Sequence, residues 1–306
     1  PAADGSVIPA DGLISEISLA ENMSAKFDTA LPFGKYYVQE IATDEHYVLN
    51  GEKYLVNFEY MGQEVTTVTV DCGEFKNALK RGKISGKKVD ENEKSLENAL
   101  FGLFAVDTAE FTADNAYMTA VSDENGHFEF DKIPYGEYIV REIEAPTGYI
   151  LSDESYPVTI SEDGEVIEIK AVNKSTKVRI SKQDITTGEE LPGATLQIID
   201  EDGNVATEWV STDEAHFIEG KLIAGKEYTL RETIAPDGYE IASEIKFTVN
   251  TDGSVTEVVM YDEHTPDLEI PPTVTIDTPN TGVSADNSAE LYLVAAAVIM
   301  ALGLVI

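Results

Sequence analysis

Cysteine is nearly missing from this chain: Cys72 is the single one in 306 residues. That excludes an internal disulfide framework and a thiolate metal cluster. Four histidines (His46, His127, His216 and His264) are scattered without ligand spacing, so neither a metal nor a cofactor is expected. Basic residues are scarce, 21 against 57 acids, for a formal charge of −36. A chain so acidic repels nucleic acid and anionic membrane surfaces, and neither is an expected partner. Helical periodicity is missing too. No long stretch before residue 290 places its apolar residues 3.6 apart, and residues 106–118 are the one candidate for a short helix. The long apolar run LYLVAAAVIMALGLVI, 291–306, has 16 residues, against roughly 20 for a bilayer span. It reads as a membrane segment whose basic cytoplasmic end is cut away. The start at Pro1, without Met or signal peptide, suggests a processed or excerpted fragment.

What is present is β structure. The hydrophobic fraction is 42%, with 14 Tyr and 11 Phe, enough to build cores while charge covers solvent faces. Period-two runs such as HFEF, YIVREI, YPVTI, VIEIKAV, KVRIS, YTLRET, IKFTVN and VTEVVM alternate with DENG, SEDG, DEDG and NTDG. These are strands and hairpin turns. A calcium loop needs oxygen ligands at positions 1, 3 and 5 before its Gly. Val121 and Ile198 stand at position 1 before Gly126 and Gly203, so these acidic turns remain turns.

The chain repeats. KKVDENEKSLENALFGLF (87–104) lies over SKQDITTGEELPGATLQII (181–199) with one slip. Lys88 falls on Lys182, Asp90 on Asp184 and Ala99 on Ala194. IPYG at 133–136 matches LIAG at 222–225, and LPFG at 31–34 opens the end of a third copy. Repeats of about 90 residues make one small β-sandwich each. The expected domains are an incomplete first module (1–82), a second (83–175) and a third (176–265). An extended Pro/Thr-rich spacer (266–282) and the apolar segment (283–306), read as a C-terminal helix, complete the chain.

Each module directs polar groups inward. In YIVREIEAPTGY (138–149), Tyr138 and Val140 are followed on the same face by Glu142. In YTLRETIAPDGY (228–239), Glu232 is in phase with Tyr228 and Leu230, and in YYVQEIATDEHY (36–47), Glu40 follows Tyr36 and Val38. Ile84 and Gly86 lead to Lys88, and Val178 and Ile180 to Lys182. Ile167, Ile169 and Ala171 lead to Asn173, and Val258 and Met260 to Asp262.

Isolated buried charges cost several kcal/mol, so these groups should meet. Burial lowers a lysine pKa and raises a carboxylic acid's. A neutral amine beside a protonated acid is a nucleophile beside a proton shuttle. Attack on the Asn or Asp carbonyl would give an amide and release ammonia or water. Such a bond closes a loop of about 80 residues and, on the disulfide loop model, removes roughly 4 kcal/mol of unfolded-state entropy.

These modules resemble the Cna-B/SpaA-type repeats of Gram-positive surface adhesins and pilins. That family's box, Y-x-L-x-E-T-x-A-P-x-G-Y, is matched at every fixed position by YTLRETIAPDGY. YIVREIEAPTGY departs at Val140 and Ile143, and YYVQEIATDEHY keeps only Tyr36, Glu40 and Tyr47. The resemblance implies tandem prealbumin-like (inverse immunoglobulin-type) β-sandwiches, an all-β class. It also implies Lys88–Asn173 and Lys182–Asp262 isopeptide bonds promoted by Glu142 and Glu232. In module one it implies Glu40 and Asn77, with the lysine lying before Pro1. TPNTG (Thr278, Pro279, Asn280, Thr281, Gly282) resembles an LPXTG-type sorting signal, with Thr278 in place of Leu and sortase cleavage between Thr281 and Gly282.

The function so implied is a secreted, wall-anchored adhesin stalk or minor pilin, stiffened by these bonds. Its partners would be sortase, then peptidoglycan or a pilin subunit, and a host extracellular ligand. The membrane enters only through the transient tail. A pilin backbone lysine in a V-Y-P-K context is missing from SYPV at 155–158. Two alternatives stay open: a collagen- or glycan-binding surface module, and the non-catalytic stalk of a secreted enzyme lying upstream. The visible residues hold no nucleophile elbow or metal set, so the chain itself is read as no enzyme beyond its own crosslinking.

Overall fold

Strand follows strand from Gly34 to Asp262, and a single 3-10 turn, Ala113–Asn115, is the only helical element among the described residues. The computed structural model describes residues 7, 9–27 and 31–266. The apolar tail and the TPNTG segment lie outside them. Residues 106–118, read as a candidate helix, hold that 3-10 turn as their one helical element, and Met118 already opens a strand.

The first module contributes a hairpin-like pair, β1 (Gly34–Val38) and β2 (Tyr54–Phe58), antiparallel with Tyr36 opposite Val56. The second has seven strands: β3 (Arg81–Asp90), β4 (Leu100–Ala105), β5 (Met118–Val121), β6 (His127–Pro134), β7 (Gly136–Glu144), β8 (Ser155–Ile160) and β9 (Val166–Asn173). They form two sheets, ordered β6-β3-β9 and β5-β4-β7-β8. The third module repeats this arrangement with β10 (Lys177–Asp184), β11 (Thr195–Ile199), β12 (Val205–Val210), β13 (His216–Glu219), β14 (Glu227–Ile234), β15 (Ile245–Thr248) and β16 (Val255–Asp262). Its sheets run β13-β10-β16 and β12-β11-β14-β15.

In both complete modules the first and last strands pair in parallel, β3 with β9 and β10 with β16, and every other pairing is antiparallel. Alternation explains the layers. Along β9 and β16 every second residue is covered, so the apolar half of each strand faces the opposing sheet.

The second core rests on aromatics. Phe101, Phe128 and Phe130 are buried with Ile84, Leu103, Ile133, Val140 and Ile160, each large side chain contributing about 1.5–3 kcal/mol. Phe101 and Phe128 stack at 3.8 Å between centroids with planes 8° apart. That stack requires Gly86, because a Cβ there would fall on the Phe128 ring. In the third module Ile180 stands at the position of Gly86, and Leu196 at that of Phe101. The core there is mainly aliphatic, Val178, Ile180, Leu196, Ile198, Ile218, Leu230 and Met260, with Tyr228 as its buried aromatic. The same strand arrangement thus holds two different fillings.

Modules two and three meet at Ser175 and Thr176. The Thr176 N–H donates to Gly148 O at 2.9 Å, its hydroxyl to Leu222 O at 2.7 Å, and its carbonyl accepts from Gly220 N at 3.0 Å. Gly148 has φ +86°, and a Cβ on it would strike the Gly220 carbonyl. Ser175 Oγ lies 2.8 Å from Glu91 Oε1 and 2.7 Å from Glu219 Oε1, with Lys177 Nζ 3.6 and 3.7 Å from the same oxygens.

Candidate crosslinking site

Parallel pairing of the first and last strands brings two of the three inward polar groups together. Lys88 on β3 is opposite Ala171, and Asn173 follows on the same face of β9. Lys182 on β10 is opposite Met260, and Asp262 follows on β16. The acid comes from the other sheet. Glu142 on β7 pairs with Phe101, and Glu232 on β14 with Leu196, so each carboxyl crosses the sandwich to the lysine.

In module two the three groups are sealed: Lys88 is 0% exposed, Glu142 3% and Asn173 1%. Lys88 Nζ donates to Asn173 Oδ1 and lies 3.1 Å from Glu142 Oε1. Asn173 Nδ2 donates to the same Glu142 oxygen at 2.9 Å. Glu142 Oε2 accepts from the Ser152 N–H at 3.0 Å, which leaves Oε1 facing the amine and the amide. Burial pushes the Lys88 ammonium below the ordinary lysine range, and Glu142 opposes that shift.

Module three repeats the arrangement with an acid as acceptor. Lys182 Nζ contacts Asp262 Oδ1 and lies 3.1 Å from Glu232 Oε1. The Ala242 N–H holds Glu232 Oε2 at 2.7 Å. Glu232 Oε1 and Asp262 Oδ2 are buried without a hydrogen-bond partner. Burial raises the Glu232 carboxyl above the usual carboxylate range, the Asp262 charge adds to it, and the Ala242 N–H and Lys182 oppose it.

Module one holds the acid and the amide. Asn77 Nδ2 donates to Glu40 Oε1 at 2.8 Å, and the Asn50 N–H holds Glu40 Oε2 at 2.8 Å. Asn77 Oδ1 is buried without a partner, at the position that receives the lysine amine in the other two modules.

A second layer supports the site. Asp90 and Asp184, two residues beyond the lysines, accept from the closing tyrosines of the boxes, Tyr149 at 3.4 Å and Tyr239 at 2.7 Å. Asp184 also accepts from the Thr186 and Thr187 N–H groups, and His264 Nε2 lies 3.1 Å from it. The Tyr239 hydroxyl first, then these neighbours, bring the Asp184 pKa to about 2. The alignment of Asp90 with Asp184 and of Tyr149 with Tyr239 in the repeats was the available signal for this pair. Strand phase alone gave no reason to join them. Nor did it reveal the backbone N–H groups of Ser152 and Ala242, since a backbone donor carries no side-chain signature.

The sequence profile of the SpaA prealbumin-like fold domain matches residues 82–175 and 176–264, more than half of the chain. The chain belongs to the SpaA prealbumin-like domain family. This chain also shows 28% identity over 111 residues to the trypsin-resistant surface T6 protein of Streptococcus pyogenes serotype M6. That match covers 36% of this chain and 20% of the relative. Among solved structures, the Bacillus anthracis TIE protein is 26% identical, with a TM-score of 0.47 over 76% of this chain and 42% of that one. The shaft pilin SpaA of Lactobacillus rhamnosus GG is 15% identical, with a TM-score of 0.34 over 62% of this chain and 99% of that one. The chain therefore spans one fifth of the curated relative's length and under half of the Bacillus anthracis protein's.

Proposed function

We propose that this chain is a structural surface protein of a Gram-positive bacterium, a wall-anchored stalk or minor pilin whose SpaA modules crosslink themselves. The observation that carries the reading is the recurrence, in both complete modules, of a buried lysine amine touching the acceptor oxygen of Asn173 or Asp262 under an inward glutamic acid. Neutral Nζ of Lys88 attacks Cγ of Asn173. Glu142 accepts a proton from the amine and delivers one to the departing nitrogen, the C–N bond of the amide breaks, and ammonia leaves. In module three Lys182 attacks Cγ of Asp262, Glu232 plays the same part, and water leaves. The surrounding core keeps competing water away from the reacting carbonyl.

The surface assignment draws on the family and on the T6 surface protein among its relatives. The TPNTG sequence and the apolar run after it fit sortase transfer, with Thr281 joined to peptidoglycan or to a pilin subunit. A host ligand would be met by parts beyond these modules.

Intact mass spectrometry of the full chain, beside Glu142→Ala and Glu232→Ala, tests the crosslinks. The expected mass is lower than the sequence mass by one ammonia and one water, and each variant regains one of them. A folded chain of full sequence mass overturns the crosslinking reading. Incubation with a sortase and a glycine nucleophile tests the anchor, with cleavage after Thr281 expected and an intact chain as the contrary result.

A further inference from the structure

The two complete sites differ by one atom type with a large electrostatic consequence. With Lys88 and Glu142 both ionised, the module-two site is neutral, because Asn173 carries no charge. With Lys182, Glu232 and Asp262 all ionised, the module-three site carries a net negative charge, and the side chains of Glu232 and Asp262 are fully buried. Two carboxyl groups serve one ammonium there: Glu232 Oε1 has only the Lys182 amine, 3.1 Å away, and Asp262 Oδ2 has no hydrogen-bond partner. A single proton on the pair makes the site neutral and supplies a donor to the carboxyl oxygen that has none.

Of the neighbouring titratable groups, Glu190 Oε2 already accepts from the Lys182 N–H at 3.0 Å. On β10 the next is Asp184, after β14 comes Tyr239, and after β16 comes His264. Those three are joined to one another, through the 2.7 Å Tyr239–Asp184 hydrogen bond and the 3.1 Å His264–Asp184 contact. The proton must come from solvent before the site closes.

We propose that Asp262 makes the third-module crosslink depend on a proton taken up from solvent, whereas Asn173 lets the second module close with the proton its lysine already carries. This rests on the crosslinking reading above. The chemistry balances in both modules. Lysine ammonium, Asp262 carboxylate and protonated Glu232 give the amide, water and protonated Glu232 again. Lysine ammonium, Asn173 and ionised Glu142 give the amide, ammonia and protonated Glu142. Losing the required proton means ionising a carboxyl in module three and an ammonium in module two. The first is expected at lower pH, since the ordinary pKa values of the two group types differ by about six units, a gap against which burial acts. Closure in module three therefore has an earlier alkaline limit than closure in module two.

The full chain, kept in denaturant from synthesis, is diluted into buffers between pH 5 and pH 10 and quenched at intervals. Each crosslinked peptide pair is then quantified by mass spectrometry. Both bonds are expected at the acid end. Above its midpoint the Lys182–Asp262 rate falls about tenfold per pH unit, as one required proton dictates. That midpoint lies below the one for Lys88–Asn173. Asp262→Asn moves the module-three midpoint up and changes its leaving group from water to ammonia, and Asn173→Asp brings the early fall to module two. Equal midpoints for the two wild-type bonds, or exchange variants that leave them unmoved, overturn the proposal while the crosslinks stand. Absence of either bond at every pH overturns the crosslinking reading and this inference with it.

Discussion

Replacing Glu142 by Gln keeps the shape of the side chain and removes its acid. On the proposed chemistry the Lys88–Asn173 bond should then not form, and module two should lack the closed loop. Lys88 and Asn173 are 85 apart in sequence. On the loop-entropy model that separation corresponds to about 4.5 kcal/mol of stabilisation, exerted on the unfolded chain. Lys88 also loses its carboxylate. Breaking a buried pair costs about 3–5 kcal/mol when the remaining charge persists, and less here because burial already favours the neutral amine. The loop contribution alone should lower the melting temperature of module two by roughly 20–35 °C, at about 4–8 °C per kcal/mol for a domain of this size. Module three, with its own bond, should melt as before.

Urea denaturation followed by tryptophan-independent circular dichroism separates the two losses. Opening a crosslinked unfolded state exposes more surface, so the m-value of the first transition should rise as its midpoint falls. A variant that has regained the ammonia mass, yet whose melting temperature moves by less than about 5 °C with an unchanged urea m-value, would refute the reasoning, because the magnitude rests on the loop model.

Three further outcomes are expected. Gly86→Ala puts a methyl group into the Phe128 ring and should destabilise module two by about 1–3 kcal/mol in thermal unfolding, whereas Ile180→Ala, at the matching position, leaves a cavity. Gly148→Ala meets the Gly220 carbonyl at a left-handed φ of +86°. Amide exchange should accelerate at Thr176 and Gly220, which join the modules, while the centre of β7 keeps its protection. Folding lowers the Asp184 pKa to about 2 from 3.8. Its contribution is therefore complete above about pH 4 and fades as the pH falls through 2. Asp184→Asn should flatten the stability of module three over that window, as read by urea midpoints at each pH.

Much of the fold was visible as strand phase. Tyr138 and Val140 put Glu142 on the inner face, and Val258 and Met260 did the same for Asp262, because a period of two leaves no other choice. Lys88 was harder, since Gly86 interrupts the apolar series. It became readable only once Lys88 was laid over Lys182, behind Val178 and Ile180. The reason for Gly86 lay in Phe128, a residue on a different strand, and no local pattern contains that. The same limit hid Ser175 and Thr176. They look like a polar linker, yet Thr176 is buried and joined to Gly148, Gly220 and Leu222. Contacts between modules depend on which loops face each other, and alternation along one strand does not encode them.

The parallel pairing of first and last strands has a mechanical consequence. With both amide bonds formed, a tensile force applied along the chain enters module two on β3 and reaches Lys88. It crosses to Asn173, runs through residues 174–181 to Lys182, and crosses again to Asp262. Residues 89–172 and 183–261 lie outside that covalent path. The sandwiches would then hang beside a short continuous tether, and neither core need unfold for the load to pass.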